Sequence, residues 1–389
     1  MGLSRRDRRE QKRKLLKEER LQQLRKVEEQ ERTIHQKGER KGFLKFYDKQ
    51  YKKLLFIPFI ILIIAIISLG MNYAQTGDFI NRGVSLKGGI VITIPVQEQV
   101  NLEELNAFFK TRFPADDMDI RAIAEFGEQK AIMVTSENIE AEDGILDALE
   151  EKIPDARVDA SVEITGSSLG EEFFNQILRA LFVAFVFMGL VVFLYFGHNT
   201  WAKIISAVLS IVASVLMFQA SIAMNIVGLI IGLGVFVIYA FFSIPSLAAI
   251  LSVFSDIIVT LAIVNLMDIK LGTAGIAAFL MLIGYSIDTD ILLSTRVLKR
   301  KEGTVFDRII SAAKTGLTMN ITTLVAITLA LVLTQSEVIR QIMIILLIGL
   351  LVDIMNTWLQ NTGLLRYYVE HRAKSKKKAD LDFANISEE

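Results

Sequence analysis

An apolar run that begins near Gly272 ends in IGYSIDTDILLSTRVLK, residues 283 to 299, and so places Asp288, Asp290 and Arg296 on a segment long enough to lie in a bilayer. A further carboxylate, Asp256, falls near the middle of SVFSDIIVTLAIV, and another, Asp353, lies in GLLVDIMNTWLQNTGLLR. A charge at the centre of a membrane helix costs roughly 2.5 to 3.5 kcal/mol on insertion scales. Each of these groups must therefore be paired, hydrated or at work, and the chemistry open to acids at that depth is the passing of protons. Two plainer readings compete. Arg296 can reach the headgroup layer by extending its side chain along the helix end. Asp256 can serve as a structural hydrogen-bonding group between helices, and the sequence favours neither role for it.

Helix geometry sorts these residues by face. At about 100° per residue, Tyr285 and Arg296 lie within about 20° of each other, and Asp288 lies about 80° from Arg296. Asp290 falls roughly 200° from Asp288, so the two carboxylates are expected to meet different neighbours unless the helix bends at Gly284. Asn356, Asn361 and Thr362 join Asp353 on the last apolar segment, with Asn320 on the one before. A polar seam between helices follows, of a composition that suits helix packing as well as transport.

Other chemistries lack their residues. There is no HExxH, no GxxxxGK phosphate loop and no GxSxG nucleophile turn. His35, His198 and His371 are too scattered for a metal site, and there is no cysteine. Neither a cofactor nor a metal is called for. An intramembrane aspartyl protease is the enzyme to weigh, since it needs aspartates on adjacent helices, but its YD and GxGD surroundings are replaced here by SD at 255 to 256 and GYSID at 284 to 288. A non-enzymatic protein is expected.

The elements that must hold these groups are membrane spans. The chain has 389 residues, 52% of them hydrophobic, and its zero net charge hides a strong asymmetry. Residues 1 to 53 carry 19 Lys/Arg against 9 Asp/Glu, whereas residues 73 to 175 carry 8 against 21. That contrast puts the two stretches on opposite sides of a membrane. Apolar runs near 54–72, 177–197, 202–222, 225–242, 245–267, 272–297, 315–334 and 338–365 are each long enough to cross. The pair within 202–242 is the least secure, which leaves six or eight spans but never seven. Counting from a cytoplasmic N-terminus puts Lys299, Arg300, Lys301, Arg308 and the tail 367–389 inside. The first span reads as an uncleaved signal anchor. Gly228, Gly232 and Gly234 read as helix-packing positions. Residues 4 to 32 spell a long basic helix, either a charged tail that fixes topology or a contact for anionic lipid or ribosomal RNA.

Residues 73 to 175 divide by period. A strand is expected over 84–96, a helix over 101–113 capped by Asn101, strands over 118–126 and 130–136 joined by a turn at Gly127, a helix over 141–153 and a strand over 156–165. The order βαββαβ is that of a ferredoxin-like α+β domain. The expected fold is thus an α-helical polytopic membrane protein with one such external domain, a bundle over 176–366 and cytoplasmic ends at 1–53 and 367–389.

Four segments carry a resemblance to a known family: GVSLKGG at 83–89 with Gly88 and Gly89, SIPSLAAILSVFSDIIVTLAI at 243–263, LMLIGYSIDTDILLSTRVLKR at 280–300 with Gly284, Tyr285 and Ser286, and VDIMNTWLQNTGLLRYY at 352–368. The chain resembles the SecF family of the protein-export membrane complex, in its archaeal form, over most of residues 54 to 370. The resemblance implies a SecD-like subunit as partner and a resistance-nodulation-division-like bundle in the plasma membrane beside the Sec translocation channel. It also implies unfolded polypeptide clients and proton movement through a paired aspartate and arginine. Asp256 and Arg296 match the family's aspartate and arginine, Asp288 stands where the bacterial motif has Asn, and Asp290 and Asp353 fit the archaeal pattern. Ser85 stands where many relatives have Asp, so no role passes to it. The stretch 202–242 is expected to be an added helical pair, and the basic N-terminal extension is longer than the family needs.

Overall fold

The computed structural model describes residues 42–386, apart from 97, 115, 117, 126, 127, 220, 301 and 335. The basic helix expected over 4–32 and the turn at Gly127 lie outside them. An amphipathic helix, α1 (Phe43–Leu54), precedes the first apolar helix, α2 (Phe56–Thr76). A one-turn helix, α3 (Val84–Lys87), leads into a small sheet domain made of β1 (Gly89–Pro95), α4 (Leu102–Arg112), β2 (Met118–Glu125), β3 (Glu128–Ser136), α5 (Glu142–Lys152), the short α6 (Ala156–Asp159) and β4 (Ser161–Thr165). The remaining helices are α7 (Ser167–Phe196), α8 (Thr200–Met217), α9 (Ile222–Phe242), α10 (Ile244–Leu266), α11 (Thr273–Lys299), α12 (Val305–Leu333) and α13 (Glu337–Met355). A π turn (Asn356–Asn361) then carries α13 into α14 (Thr362–Ile386).

Eight helices among the described residues are long and apolar enough to cross a membrane, and the stretch 200–242 supplies two of them. The strands run in the order β2-β3-β1-β4 with every neighbouring pair antiparallel. Alternate residues of the central strands, Ile90, Ile92 and Ile94 with Ile132 and Val134, face Leu105 and Phe109 of α4 and Ile145 and Leu149 of α5, so period 2 in the strands meets period 3.6 in the helices. Asn101 caps α4, accepting from the N–H groups of Glu103 and Glu104.

Two strand expectations are corrected. Residues 84 to 87 coil into α3 because Gly88 and Gly89 take positive φ angles of 91° and 136°. A Cβ on Gly89 would run into the Ser136 carbonyl, and one on Gly170 of α7 would come within 2.8 Å of the Gly88 nitrogen. The turn is thus docked on α7, and only after it can β1 begin. Residues 156 to 159 likewise form α6 before β4, with Asp155 in the left-handed region at φ 59°.

In the bundle, α10 and α11 have 61% and 50% of their most apolar stretches buried, against 17% to 33% for the other spans, so these two occupy its centre. The α8–α9 hairpin packs through glycine: a Cβ on Gly228 would lie 2.8 Å from the Ala213 carbonyl, and one on Gly232 would lie 2.7 Å from the Phe182 ring of α7. Gly234 faces open space.

Candidate functional site

Three helices bring one carboxyl each to the middle of the bundle: Asp256 from α10, Asp290 from α11 and Asp353 from α13, all fully buried. Ser286, one turn before Asp290, donates to Asp256 Oδ2 at 2.6 Å, and Asn356 donates to its Oδ1 at 2.7 Å. Asn361 donates to Asp290 Oδ1 at 2.7 Å. Asn320 of α12 donates to Asp353 Oδ2 at 3.1 Å and takes a 3.5 Å bond from Thr289 on its own carbonyl oxygen. The Thr357 hydroxyl stands between two acids, 3.1 Å from Asp290 Oδ1 and 3.0 Å from Asp353 Oδ1.

Among the described residues, every donor to these carboxyls is a neutral hydroxyl or amide. A single hydroxyl has one hydrogen to give, so Thr357 satisfies both neighbours only when one carboxyl returns a proton to it. Asp290 Oδ2, Asn356 Oδ1 and Asn361 Oδ1 are buried acceptors with no donor among the described residues. Ser252 Oγ, on α10, is likewise buried and unpartnered among the described residues, so the network has both acceptors and hydroxyls to spare, an inventory that suits a place that holds and passes protons.

The remaining charged residues of the motif stand elsewhere. Asp288 is exposed on the other side of α11 from Asp290, as the 200° separation on the wheel requires. It shares a bare stripe with Met281, Gly284 and Tyr285, and a Cβ on Gly284 would meet nothing within 4 Å. Arg296 donates to the carbonyl and hydroxyl of Ser311 on α12, at 2.8 and 2.7 Å, and pairs with no acid among the described residues. Gly88 and Gly89 belong to the turn under the sheet domain, away from the carboxyls.

Sequence reading missed Thr357 and Gln360, the latter donating to Ser255 Oγ at 3.1 Å. Their signal was present: NTWLQNT puts five polar residues into seven within an apolar span.

The fold and the site define a class: a mainly helical, multi-pass membrane protein with eight apolar spans, one small antiparallel sheet and a carboxyl network at the bundle centre. The family model described as Protein export membrane protein SecD/SecF, C-terminal, matches residues 205–371. Protein-export membrane protein SecF of Pyrococcus furiosus is 33% identical over 82% of this chain and 92% of its own length. Its counterpart in Methanocaldococcus jannaschii is 31% identical over 84% of this chain and 99% of its own. The crystal structure of SecDF, a translocon-associated membrane protein from Thermus, matches the fold with a TM-score of 0.54 at 18% identity; the match covers 85% of this chain and 39% of that one. The chain belongs to the SecF family of protein-export membrane proteins.

Proposed function

We propose that the chain is a non-enzymatic membrane subunit of protein export that works with a SecD-like partner in assisting Sec-dependent translocation or insertion of polypeptides. The observation that carries the mechanism is the network of three buried carboxyls whose donors are all neutral, a route for protons and not an ion pair. In this reading the sheet domain is the external, ferredoxin-like unit of a resistance-nodulation-division-like bundle. Both termini lie in the cytoplasm of a cell bounded by the plasma membrane, and the Sec channel with its unfolded clients lies alongside. Proton passage through Asp256, Asp353 and Asp290 drives the external domain. Arg296, held by Ser311, anchors the end of α11, and the N-terminal basic stretch contacts anionic lipid or the ribosome.

The exposed Asp288 supports a partner in the membrane. A carboxylate on a bare face at that depth is costly against lipid, whereas a neighbouring subunit with a polar or basic side chain accommodates it. Affinity purification of the detergent-solubilised chain from its own membrane, with mass spectrometry of what accompanies it, tests the assignment. A SecD-like partner with channel subunits supports it; recovery of the chain alone as a homo-oligomer favours a proton-coupled small-molecule transporter of the same superfamily. For the mechanism, Asp256→Asn is expected to abolish the part of export stimulation that depends on the proton gradient while leaving the complex assembled, and unchanged stimulation sinks the relay. A pure assembly role predicts instead that Asp256→Asn, which weakens the bonds to Ser286 and Asn356, lowers recovery of the complex itself.

A further inference from the structure

The carboxyl network is assembled by an irregular stretch of chain. Asn356, Thr357 and Asn361, which reach the acids, and Gln360, which reaches Ser255, all come from the π turn Asn356–Asn361. A π turn inserts a residue into the helical repeat and disturbs the α-type pairing of main-chain groups. Buried carbonyls left over by it need other donors. Two carbonyls of this turn accept side-chain hydroxyls. The Thr357 carbonyl takes the Thr362 N–H, five residues on, and also the Thr362 hydroxyl at 2.9 Å. The carbonyl of Trp358 takes the hydroxyl of Tyr47, from the amphipathic helix α1 that precedes the first span.

Several contacts lock α1 against this turn. The Arg366 guanidinium, one turn beyond it, reaches Asp48 at 2.7 Å and Glu370 at 2.8 Å and lies 4.1 Å from the centre of the Tyr51 ring. Tyr51 in turn donates to Glu370 at 2.7 Å. Leu55, just past α1, is wedged on Gly363, where a Cβ would come within 2.9 Å of its Cδ1. Burial pushes the Tyr47 phenol up to about 12, against the opposing pull of Thr362 and Arg366, so the group remains a donor throughout the physiological range.

From this geometry we infer that Tyr47 is a positioning residue of the carboxyl network: by occupying the Trp358 carbonyl it holds the π turn in register, and so fixes which side chains of residues 356 to 361 face Asp256, Asp290 and Asp353. The alternative to a π turn is a regular α turn, which differs by a whole residue, about 100° of rotation. Packed helices switch between such arrangements and do not slide continuously. A helix lying outside the spans is thereby tied to the centre of the bundle. The inference rests on the carboxyl network being the working site, and the assay below separates the two claims.

The test uses the full chain, purified with whatever partner accompanies it and placed in lipid nanodiscs. Hydrogen exchange is followed across residues 356 to 363. Reactivity of the carboxyls toward dicyclohexylcarbodiimide, which attacks protonated carboxyls in apolar surroundings, is followed by mass spectrometry. Tyr47→Phe keeps the ring beside Phe306 and removes only the hydroxyl. It is expected to speed exchange over the turn and to change labelling of Asp290 by about three- to tenfold, the scale of one lost hydrogen bond. Thr362→Val, which removes the other hydroxyl, should act in the same direction, and Tyr73→Phe, on a ring stacked against Phe79 at the far end of α2, should change neither reading. Unaltered exchange and labelling in Tyr47→Phe, or an equal response in Tyr73→Phe, overturns the inference. If Asp290→Asn abolishes export stimulation while Tyr47→Phe leaves labelling unchanged, the relay stands and the positioning role falls. A labelling response to Tyr47→Phe in a protein whose stimulation ignores Asp290→Asn has the reverse meaning.

Discussion

Two carboxylates two residues apart on one helix have different environments here, and the difference is worth more than their shared chemistry. Asp290 is enclosed by Asn361 and Thr357, whereas Asp288 faces outward with no hydrogen bond or ion pair among the described residues. Asp290→Asn and Asp353→Asn should therefore each lower gradient-dependent export stimulation at least about tenfold, since each removes a proton site from a chain of neighbours. Asp288→Asn should leave that chain intact and instead change how much partner is recovered on purification. Equal loss of stimulation in all three variants, with partner recovery unchanged, contradicts the division. Thr357 is the more sensitive probe of proton sharing: Thr357→Val keeps the volume and deletes the hydroxyl that links Asp290 to Asp353. Its expected phenotype is slowed flux at normal assembly, measured by proton uptake into proteoliposomes.

Among the elements, the turns and close crossings hold the site in place. Gly89 combines φ 136° with a Ser136 carbonyl that leaves no room for a Cβ. Gly89→Ala should cost the sheet domain about 1 to 3 kcal/mol from backbone strain, before the added clash, seen as a lower melting temperature of the full chain. Gly316→Ala brings a methyl to 2.6 Å from Cζ2 of Trp358, the residue whose carbonyl Tyr47 takes. Overpacking of that kind costs typically about 1 to 3 kcal/mol and should disturb the π turn from its other side. The helical pattern of the last span was legible in its apolar residues, and the crowding of polar groups in NTWLQNT flagged the stretch. The π turn itself was not legible, because it depends on donors from Tyr47, more than three hundred residues away in sequence.

For the molecule as a whole, the charge asymmetry makes a prediction about sidedness. The native chain has no cysteine, so single cysteines can be placed at will. A cysteine at Glu302 and one at Ser375 should react with a membrane-impermeant reagent from the same side, and one at Glu140 only from the other. Labelling of all three from one side overturns the topology. The α8–α9 hairpin supplies two of the eight candidate spans, an even number, so its removal leaves the sidedness expected of everything after it unchanged.

Some of this was fixed by composition and order alone. Long apolar runs must cross, or expose backbone and apolar surface to the wrong solvent, and the expected side rests on the basic loops. The 100° step also separated Asp288 from Asp290, because covalent geometry sets the wheel before any packing occurs. The partners of those residues were decided only by tertiary structure. Arg296, expected beside an aspartate, bonds Ser311, since the turn after α11 delivers α12 to it first. Asp256, Asp290 and Asp353 meet because α10, α11 and α13 converge, and no local rule says which spans will be neighbours. A helix face is written in the sequence at short range, but what the face touches is settled by the packing of all the spans together.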